Sequence, residues 1–431
     1  MQFVVLTLLV VATTFDYMVG EGWLPPLAKY IVELYGAGVL LYVVAAGARD
    51  RFRYVRPVYW ILFGSIVLTM VCGVLANNEA PGPIFVGLRL YARAIPFFFL
   101  PAVVRFSNRQ IKTQLLLLLA ILVVQLPIAA RQRMTTLAVG GITGDTTMGT
   151  LMNSSALSIV LVAGIAVLLG LYLRKMVGFR TVAVLFIVLL IPTTINETKG
   201  TFVLLPLTLL TTFMVAAKPG TRAKNIFLAT LFLCAFGAVF IPIYDQLIKV
   251  RPYPVTIEQM FLDPHHMDAY MSKHAALGET TTLEVGRVDS IVVPLRMLAK
   301  DPAQLVFGLG IGNASPSSLG PKFVGRYNSL LQPFLLTSFT VIACELGVFG
   351  VFLVLSLYWQ IYRDSLVVAA SENPMMSGIA LGWTGVMAMM AACIVYKDLI
   401  SFAAVSVLFW YFSGLVAAER MHIALDARQA A

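Results

Sequence analysis

Apolar stretches close to twenty residues long, separated by clusters of charged residues, recur along most of this chain. A helix needs about 20 mostly apolar residues to cross the hydrocarbon core of a bilayer. Lipid offers the backbone no hydrogen-bond partners, so a spanning segment is either a helix or a strand of a closed barrel, and barrel strands alternate in polarity. Only 12% of the residues are charged and 59% are hydrophobic. The chain is therefore predicted to be an all-α polytopic membrane protein.

The apolar runs between charge clusters predict about twelve transmembrane helices. They lie near residues 2–20, 24–47, 58–76, 84–104, 113–130, 151–173, 181–195, 200–217, 226–247, 346–362, 377–396 and 399–417. The first run lacks a basic segment before it and an A-x-A cleavage site, and it contains Asp16. It is predicted to be a retained helix rather than a signal peptide.

Arginine and lysine concentrate in every second short connection, near residues 49–56, 105–112, 174–180 and 218–224. The positive-inside rule places these connections in the cytoplasm, and the parity of the helices then places both termini there as well. The net charge of +10 is explained by this topology, and no basic face suited to nucleic acid accompanies it. The chain divides into helices one to nine (1–248), a large external loop (249–345), and helices ten to twelve with a cytoplasmic tail (346–431).

The external loop is too long to be a simple connection, so it is predicted to carry structure of its own. From Arg287 to Ala299 apolar residues recur at helical spacing, which predicts an amphipathic helix that ends before Asp301-Pro302. A run from about Ser329 to Cys344 resembles a half-helix that returns into the bilayer. The segment Glu345 to Gly350, with its two glycines, predicts a helix break before the next span.

Arg89 and Arg93 lie four residues apart within a predicted span, on one face of the helix. Charges at membrane depth are costly and face a cavity or a partner. Guanidinium groups make bidentate contacts with phosphate oxygens, so the pair is predicted to bind a diphosphate. The alternative is that the two arginines pair with Asp16 or Glu33, which also lie within spans.

Lys199 sits on a short external turn next to Glu197, and it is predicted to neutralise a leaving phosphate. The alternative is an interfacial lysine that pairs with Glu197. Arg287 precedes a helix start, where a cation opposes the helix dipole, which favours an anionic partner. That partner is either a substrate or a nearby acid such as Asp289.

Three further sets of residues have side chains of the types that act in catalysis, metal binding or disulfides. Glu345 either orients a sugar hydroxyl or caps the broken helix. His265, His266 and His274, near Asp263 and Asp268, fit no strong zinc pattern, so no metal site is predicted. The four cysteines lie in apolar stretches and predict no disulfides.

Several of these segments occur in an order that resembles the O-antigen ligase/polymerase (WaaL/Wzy) family. The resemblance rests on Gly286-Arg287, Asp301-Pro302, the run Gly308 to Asn313, the run Glu345 to Gly350, the turn Asn196 to Gly200, and the segment Gly144 to Thr150. The turn carries Lys199 where the family has arginine. No histidine stands among Leu335, Leu336, Thr337 and Ser338, where the family has a histidine-asparagine pair, and this favours bacterial exopolysaccharide polymerases of the Wzy type over ligases.

The resemblance implies a GT-C-like fold in the bacterial inner membrane, with the active site facing the periplasm. It implies a metal-independent glycosyltransferase, without cofactor, that acts on an oligosaccharide linked to undecaprenyl diphosphate. A polysaccharide co-polymerase that regulates chain length is an expected partner.

The predicted function is a polysaccharide polymerase that transfers a glycan chain onto the non-reducing end of a lipid-linked repeat unit. The alternatives are an O-antigen ligase that uses lipid A core as acceptor, and a flippase for the same lipid-linked oligosaccharide. Arg287, Lys199, Glu197, Asp289 and Glu345 form the predicted catalytic set. Arg89, Arg93, Arg131, Arg251, Arg287 and Lys199 form the predicted diphosphate-binding set.

Overall fold

A computed structural model of the chain describes residues 1–49, 52–141, 146–217, 220, 222–249, 255–266, 286–315, 317, 319–331 and 336–430. Helices dominate these residues, and no β-strand occurs among them. The all-α prediction is therefore confirmed for the described part of the chain. The predicted site residue Arg251, together with His274 and Gly144, lies outside the described residues.

The helices before the long loop are named α1 to α10 in chain order. They are Gln2–Gly20, Ile31–Arg49, Pro57–Asn77, Pro81–Ala92, Ile95–Val103, Asn108–Ala138, Ser154–Leu173, Phe179–Ile195, Thr201–Ala216 and Arg222–Ile248. Helices α11 to α14 lie between residues 255 and 331, and they are Ile257–Leu262, Asp289–Leu298, Pro302–Phe307 and Asn328–Leu331. The last three helices, α15 to α17, are Ser338–Ala369, Pro374–Cys393 and Ala403–Ala430.

Eight helices of the described part are long and apolar enough to cross a membrane, or nine if the bent pair α4–α5 counts as one span. The chain is thus a multi-pass membrane protein, whereas the count of about twelve spans stays a prediction. Helices α8 and α9 have 17 and 16 residues, which is shorter than the ~20 that a perpendicular span needs. Helices α4 and α5 meet at an angle of 42°, where Arg93 and Ala94 interrupt the helix.

Helix α16 forms the centre of the helical bundle and packs against α7, α9 and α15. Its glycines allow this, because lipid gives no hydrophobic drive for helices to associate and close contact of small residues stabilises the pairing instead. A Cβ at Gly382 would collide with the backbone of Ala166 on α7, and one at Gly385 would collide with Thr208 on α9. The small residues thus fix the position of α9, whose first residue follows the turn from α8.

The connections meet on two opposite faces of the bundle. On the first, named the basic face, Arg56 pairs with Asp364, Arg174 donates to the Ala369 carbonyl, and the chain start contacts the beginning of α6. On the second, named the loop face, Asn77 donates to the Gly308 carbonyl at 2.9 Å. Three of the four basic connections, near residues 49–56, 105–112 and 174–180, therefore share one face, and the assignment of that face to the cytoplasm stays a prediction.

Two predicted elements of the long loop are confirmed. The amphipathic helix is α12, and Asp301 caps the next helix, with its carboxylate accepting the Ala303 N–H at 2.9 Å. The predicted break lies within α15 at Gly347, whose φ of 70° and ψ of −177° are not helical. The half-helix before this break begins at Ser338, later than the predicted Ser329. Its relation to a bilayer stays a prediction.

Candidate functional site

The turn between α8 and α9, residues 196–200, lies on the loop face and is named the Lys199 turn. Glu197 adopts φ 56°, a left-handed conformation that is rare and strained for a residue with a side chain. Its carboxylate accepts a 2.6 Å hydrogen bond from Arg133, and its carbonyl accepts one from the Tyr244 hydroxyl at 3.1 Å. The surrounding helices thus hold the turn in one conformation, with Lys199 half-buried at its end.

Arg133 of α6 is the buried cation of this region. Besides Glu197, its guanidinium donates to the carbonyls of Ile195 at 2.8 Å and Leu247 at 2.6 Å. The side chains of Arg133 and Glu197 are only 8% and 1% exposed, so each would cost much more free energy without the other. Glu197 therefore forms, with Arg133, the buried ion pair that holds the Lys199 turn in place.

Arg287 reaches the same region from the start of α12. Its guanidinium donates to the Tyr396 carbonyl and lies 4.9 Å from the centre of the Tyr396 ring, within the range of a cation–π contact. A Cβ at Gly200 would lie 2.7 Å from the same ring. The ring of Tyr396 therefore connects Arg287 to the residue that follows Lys199.

Arg89 and Arg93 line a cavity on the loop face, named the Arg93 cavity, of about 230 Å³, together with Asp16, Lys29 and Glu33. Arg89 pairs with Glu33 at 2.9 Å, which is one of the partners that the alternative prediction named. Its guanidinium also lies over the Tyr30 ring. Arg93 donates to the carbonyls of Ile400 and Ser401 at 2.7 and 2.6 Å. The cavity holds three cations and two acids, so a formal positive charge remains.

Residues 394–402, named the α16–α17 connection, lie between these two regions. Arg287 binds the connection at Tyr396, and Arg93 binds it at Ile400 and Ser401. The Leu399 N–H donates to the Ser338 hydroxyl at 2.7 Å, which ties the connection to the start of α15. Two of the predicted diphosphate-binding arginines, Arg93 and Arg287, thus bind the same short segment.

Glu345 lies at the helix break and is fully buried. Its Oε1 atom accepts hydrogen bonds from the backbone N–H groups of Ala314 at 3.2 Å and Ser315 at 2.9 Å. These groups follow the glycine loop, residues 308–312, in which Gly308, Gly310 and Gly312 all have positive φ. The carboxylate thus links the helix break to the end of the glycine loop, and both roles considered for Glu345 stay predictions.

The remaining predicted site residues are more dispersed. Arg131 is exposed and lies 3.5 Å from Glu21, and Asp289 opens the first turn of α12. His266 contacts Asp263 at 2.8 Å, and this hydrogen bond lowers the pKa of Asp263. No group of three or more metal-binding side chains occurs among the described residues.

Sequence reasoning did not select Arg133, Tyr396 or Glu79 as site residues. Glu79 follows α3 on the loop face, and burial, with the Glu345 charge, raises the pKa of Glu79 to about 8. The signal that could have found Glu79 is its place in a very short connection between two helices, which is the argument that selected Lys199. Tyr396 gave no such signal, because its contacts come from segments distant in sequence.

No protein-family model matches the chain, and no curated protein shows significant similarity to it. The resemblance to the ligase/polymerase family therefore stays a prediction from the residues themselves.

Proposed function

We propose that this protein is a glycosyltransferase that lengthens a polysaccharide by moving a glycan chain from undecaprenyl diphosphate onto a lipid-linked repeat unit. The observation that carries the proposal is the contact of Arg287 with Tyr396, whose ring packs on Gly200 beside Lys199. The Tyr396 ring thereby lies against Arg287 and against the residue that follows Lys199, although the two predicted diphosphate-binding cations are far apart in sequence.

The chemistry requires positioned positive charge more than covalent participation by the protein. An acceptor hydroxyl oxygen attacks the anomeric carbon, the bond from that carbon to the phosphate oxygen breaks, and the electron pair leaves with the diphosphate. The hydroxyl proton passes to a carboxylate or to the leaving phosphate. Cations fixed near the developing phosphate charge lower the barrier, because they need no reorganisation during the reaction.

The residues in this proposal take different roles. Lys199 and Arg287 neutralise the leaving diphosphate, and Asp289, in the first turn of α12, orients the acceptor. Arg93, together with Lys29 of the Arg93 cavity, holds further anionic oxygens, because Arg89 is already paired with Glu33. Glu197 is held by Arg133, and Glu345 is held by the end of the glycine loop. In this proposal both carboxylates fix the backbone around the site.

The test uses the purified full-length protein with lipid-linked oligosaccharide in detergent. Arg287→Ala is expected to slow chain lengthening by roughly 10²-fold or more, which is the usual cost of removing a positioned charge at a transition state. Arg296→Ala is the matched control, because Arg296 lies exposed in the last turn of the same helix. Full activity of properly folded Arg287→Ala protein would refute the assignment.

Acceptor choice separates the polymerase from the ligase: the polymerase extends lipid-linked repeats, whereas the ligase transfers glycan to lipid A core. The flippase alternative draws support from the break in α15, because broken helices with buried polar groups form the binding sites of many transporters. Chain lengthening in detergent, where no gradient or second compartment exists, would exclude transport as the sole activity. Movement of the lipid across vesicles without any lengthening would instead favour the flippase.

A further inference from the structure

A cavity of about 290 Å³ lies among helices α6, α7, α8, α16 and α17, and it is named the apolar cavity. The polar groups of its lining are Lys112, Thr181 and the ring nitrogen of Trp383, which already donates to the Ser413 hydroxyl at 3.1 Å. A water molecule in a cavity needs roughly two to four polar partners, whereas apolar cavities stay dry and take up apolar molecules. An occupant of this cavity is therefore apolar.

The cavity exists because the helices around it pack on different partners. Helix α16 packs closely on α7, whereas α17 packs mainly on α5 and α6 packs mainly on α8. Folded interiors contain few voids larger than a water molecule, so a void of this size is unusual. Trp383 of the lining is 4% exposed, whereas Leu116 and Met176 are 55% and 42% exposed. The cavity therefore reaches from the interior to the outer surface of the bundle.

The length of the cavity is close to the depth of one bilayer leaflet. Along α6 the lining runs from Lys112 to Leu122, which is a rise of roughly 15 Å in a helix. Along α16 it runs from Met375 to Met390, a rise of roughly 22 Å. The hydrocarbon core of a bilayer is about 30 Å thick, so one leaflet supplies about 15 Å. An acyl chain that enters from one leaflet fits this length, and the methionines can adapt to its shape.

Positive charge surrounds the end of the cavity that lies on the basic face. Lys112 lines this end near the start of α6, and Lys175 and Arg180 are next in sequence to two other lining residues. All three cations are exposed, and none of them forms an ion pair with a described residue. Glu372, in the connection before α16, is the acid close to the lining in sequence. Basic pockets between transmembrane helices bind the head groups of anionic lipids.

We propose that the apolar cavity binds one acyl chain of an anionic phospholipid from the leaflet at the basic face, with the lipid phosphate beside Lys112. The long stem of a lysine lies along apolar surface while its ammonium group reaches the head group. The lipid fills the void between α6 and α16, and it stabilises the folded bundle because it binds the folded state. This inference goes beyond the proposed glycosyl transfer and does not rest on it.

The polyprenyl chain of the proposed substrate is the competing occupant. The cations proposed to hold its diphosphate, Lys199 and Arg287, lie on the loop face, and neither lines the apolar cavity. The charged end of the cavity lies on the opposite face. The position of the charge therefore favours a phospholipid whose head group lies at the basic face.

The experiment titrates the purified full-length protein in detergent with phosphatidylglycerol or with phosphatidylcholine that has the same acyl chains. Native mass spectrometry counts the lipids that each chain retains, and thermal unfolding reports the stabilisation. Phosphatidylglycerol is expected to raise the unfolding temperature saturably, with about one tightly retained lipid per chain. Its affinity should exceed that of phosphatidylcholine about fivefold, which is the usual contribution of one lysine near an anionic head group.

Lys112→Gln tests the head-group contact at an exposed position, so this variant is expected to fold. It should lower the affinity for phosphatidylglycerol about fivefold and leave the affinity for phosphatidylcholine unchanged. Lys300→Gln is the matched control, because Lys300 is an exposed lysine that follows α12 and does not line the cavity.

Ala163→Phe tests the chain site, because Ala163 lines the cavity from α7 and a phenyl ring would occupy its space. The variant should lose the tightly retained lipid of both kinds. Phosphatidylglycerol with brominated chains should quench less tryptophan fluorescence in this variant than in the wild type, because the bromines no longer reach Trp383. Ala120→Phe is the control, since Ala120 is exposed on α6 and lies outside the lining.

The proposal is overturned if folded Ala163→Phe protein retains the lipid and shows the full quenching. It is also overturned if Lys112→Gln changes neither affinity, or if lipid-linked oligosaccharide displaces the phosphatidylglycerol, because the cavity then belongs to the substrate. A change of oligomeric state in Ala163→Phe, with no loss of lipid, would instead assign the cavity to a second copy of the chain. Each of these results leaves the transferase proposal to its own test, chain lengthening in the Arg287 variant.

Discussion

Two buried carboxylates on the loop face, Glu197 and Glu345, are stabilised in different ways. Glu197 pairs with the buried guanidinium of Arg133 at 2.6 Å. Glu345 accepts two backbone N–H groups, and a second carboxylate, Glu79, lies close to it. The first region thus contains its own counter-charge, whereas the second concentrates negative charge within a buried setting.

This difference separates a carboxylate that is stabilised by a buried cation from one that is stabilised by hydrogen-bond donors. The ion pair should hold the Lys199 turn with little dependence on pH near neutrality. The region of Glu345 and Glu79 should instead respond to pH, because burial and the Glu345 charge raise the pKa of Glu79 to about 8. Each region therefore has its own experimental signature.

The largest stability effect is expected from removing the counter-charge of Glu197. Arg133→Ala would leave that carboxylate buried without its guanidinium, and such changes cost roughly 3–5 kcal/mol. Arg131→Ala is the control, because Arg131 is exposed and lies 3.5 Å from Glu21, so a loss of under about 1 kcal/mol is expected. Unfolding temperatures of the two purified variants give the comparison. Equal temperatures would show that the buried pair does not hold the turn.

A smaller loss is expected when the break in α15 is altered. Gly347→Ala places a Cβ at φ 70°, where it would also collide with the Val306 carbonyl. Strain of this kind costs about 1–3 kcal/mol. Gly38→Ala, at a helical glycine with open space around it, should leave the unfolding temperature nearly unchanged. If the Gly347 variant is as stable as the Gly38 variant, then the tight contact between break and loop is not present in solution.

A pH dependence of stability is expected at Glu79. Burial, then the Glu345 charge, raises the pKa of Glu79 from 4.5 to about 8, against a lowering by Arg326. Between these values the folded protein retains a proton that the unfolded chain has released, so stability should fall as pH rises from about 4.5 to 8. Thermal unfolding at a series of pH values should show this fall in the wild type and a weaker one in Glu79→Gln. A stability that rises through this pH range would contradict the assignment.

Local sequence patterns were sufficient for the helical elements and for several breaks. Apolar spacing predicted α12, Asp301-Pro302 predicted its end, and two glycines predicted the break at Gly347. These features depend on neighbouring residues in the chain, so periodicity and backbone preference suffice. The number of spans was harder to predict from the sequence. Helices α8 and α9 are apolar but short, and the pair α4–α5 is apolar but bent, and composition determines neither helix length nor bend angle.

The sequence by itself determined that this chain is a helical membrane protein, which positions carry costly charge, and where the backbone must break. Only the tertiary structure decided which partner each charged group has: Glu33 for Arg89, Glu197 for Arg133, the Tyr396 ring for Arg287, and Glu345 as the charge that acts on Glu79. The physical reason is that hydropathy and helix periodicity act over a few residues. The partner of a buried charge is set instead by how distant helices pack, and here the close contacts of glycine and other small residues decide that packing.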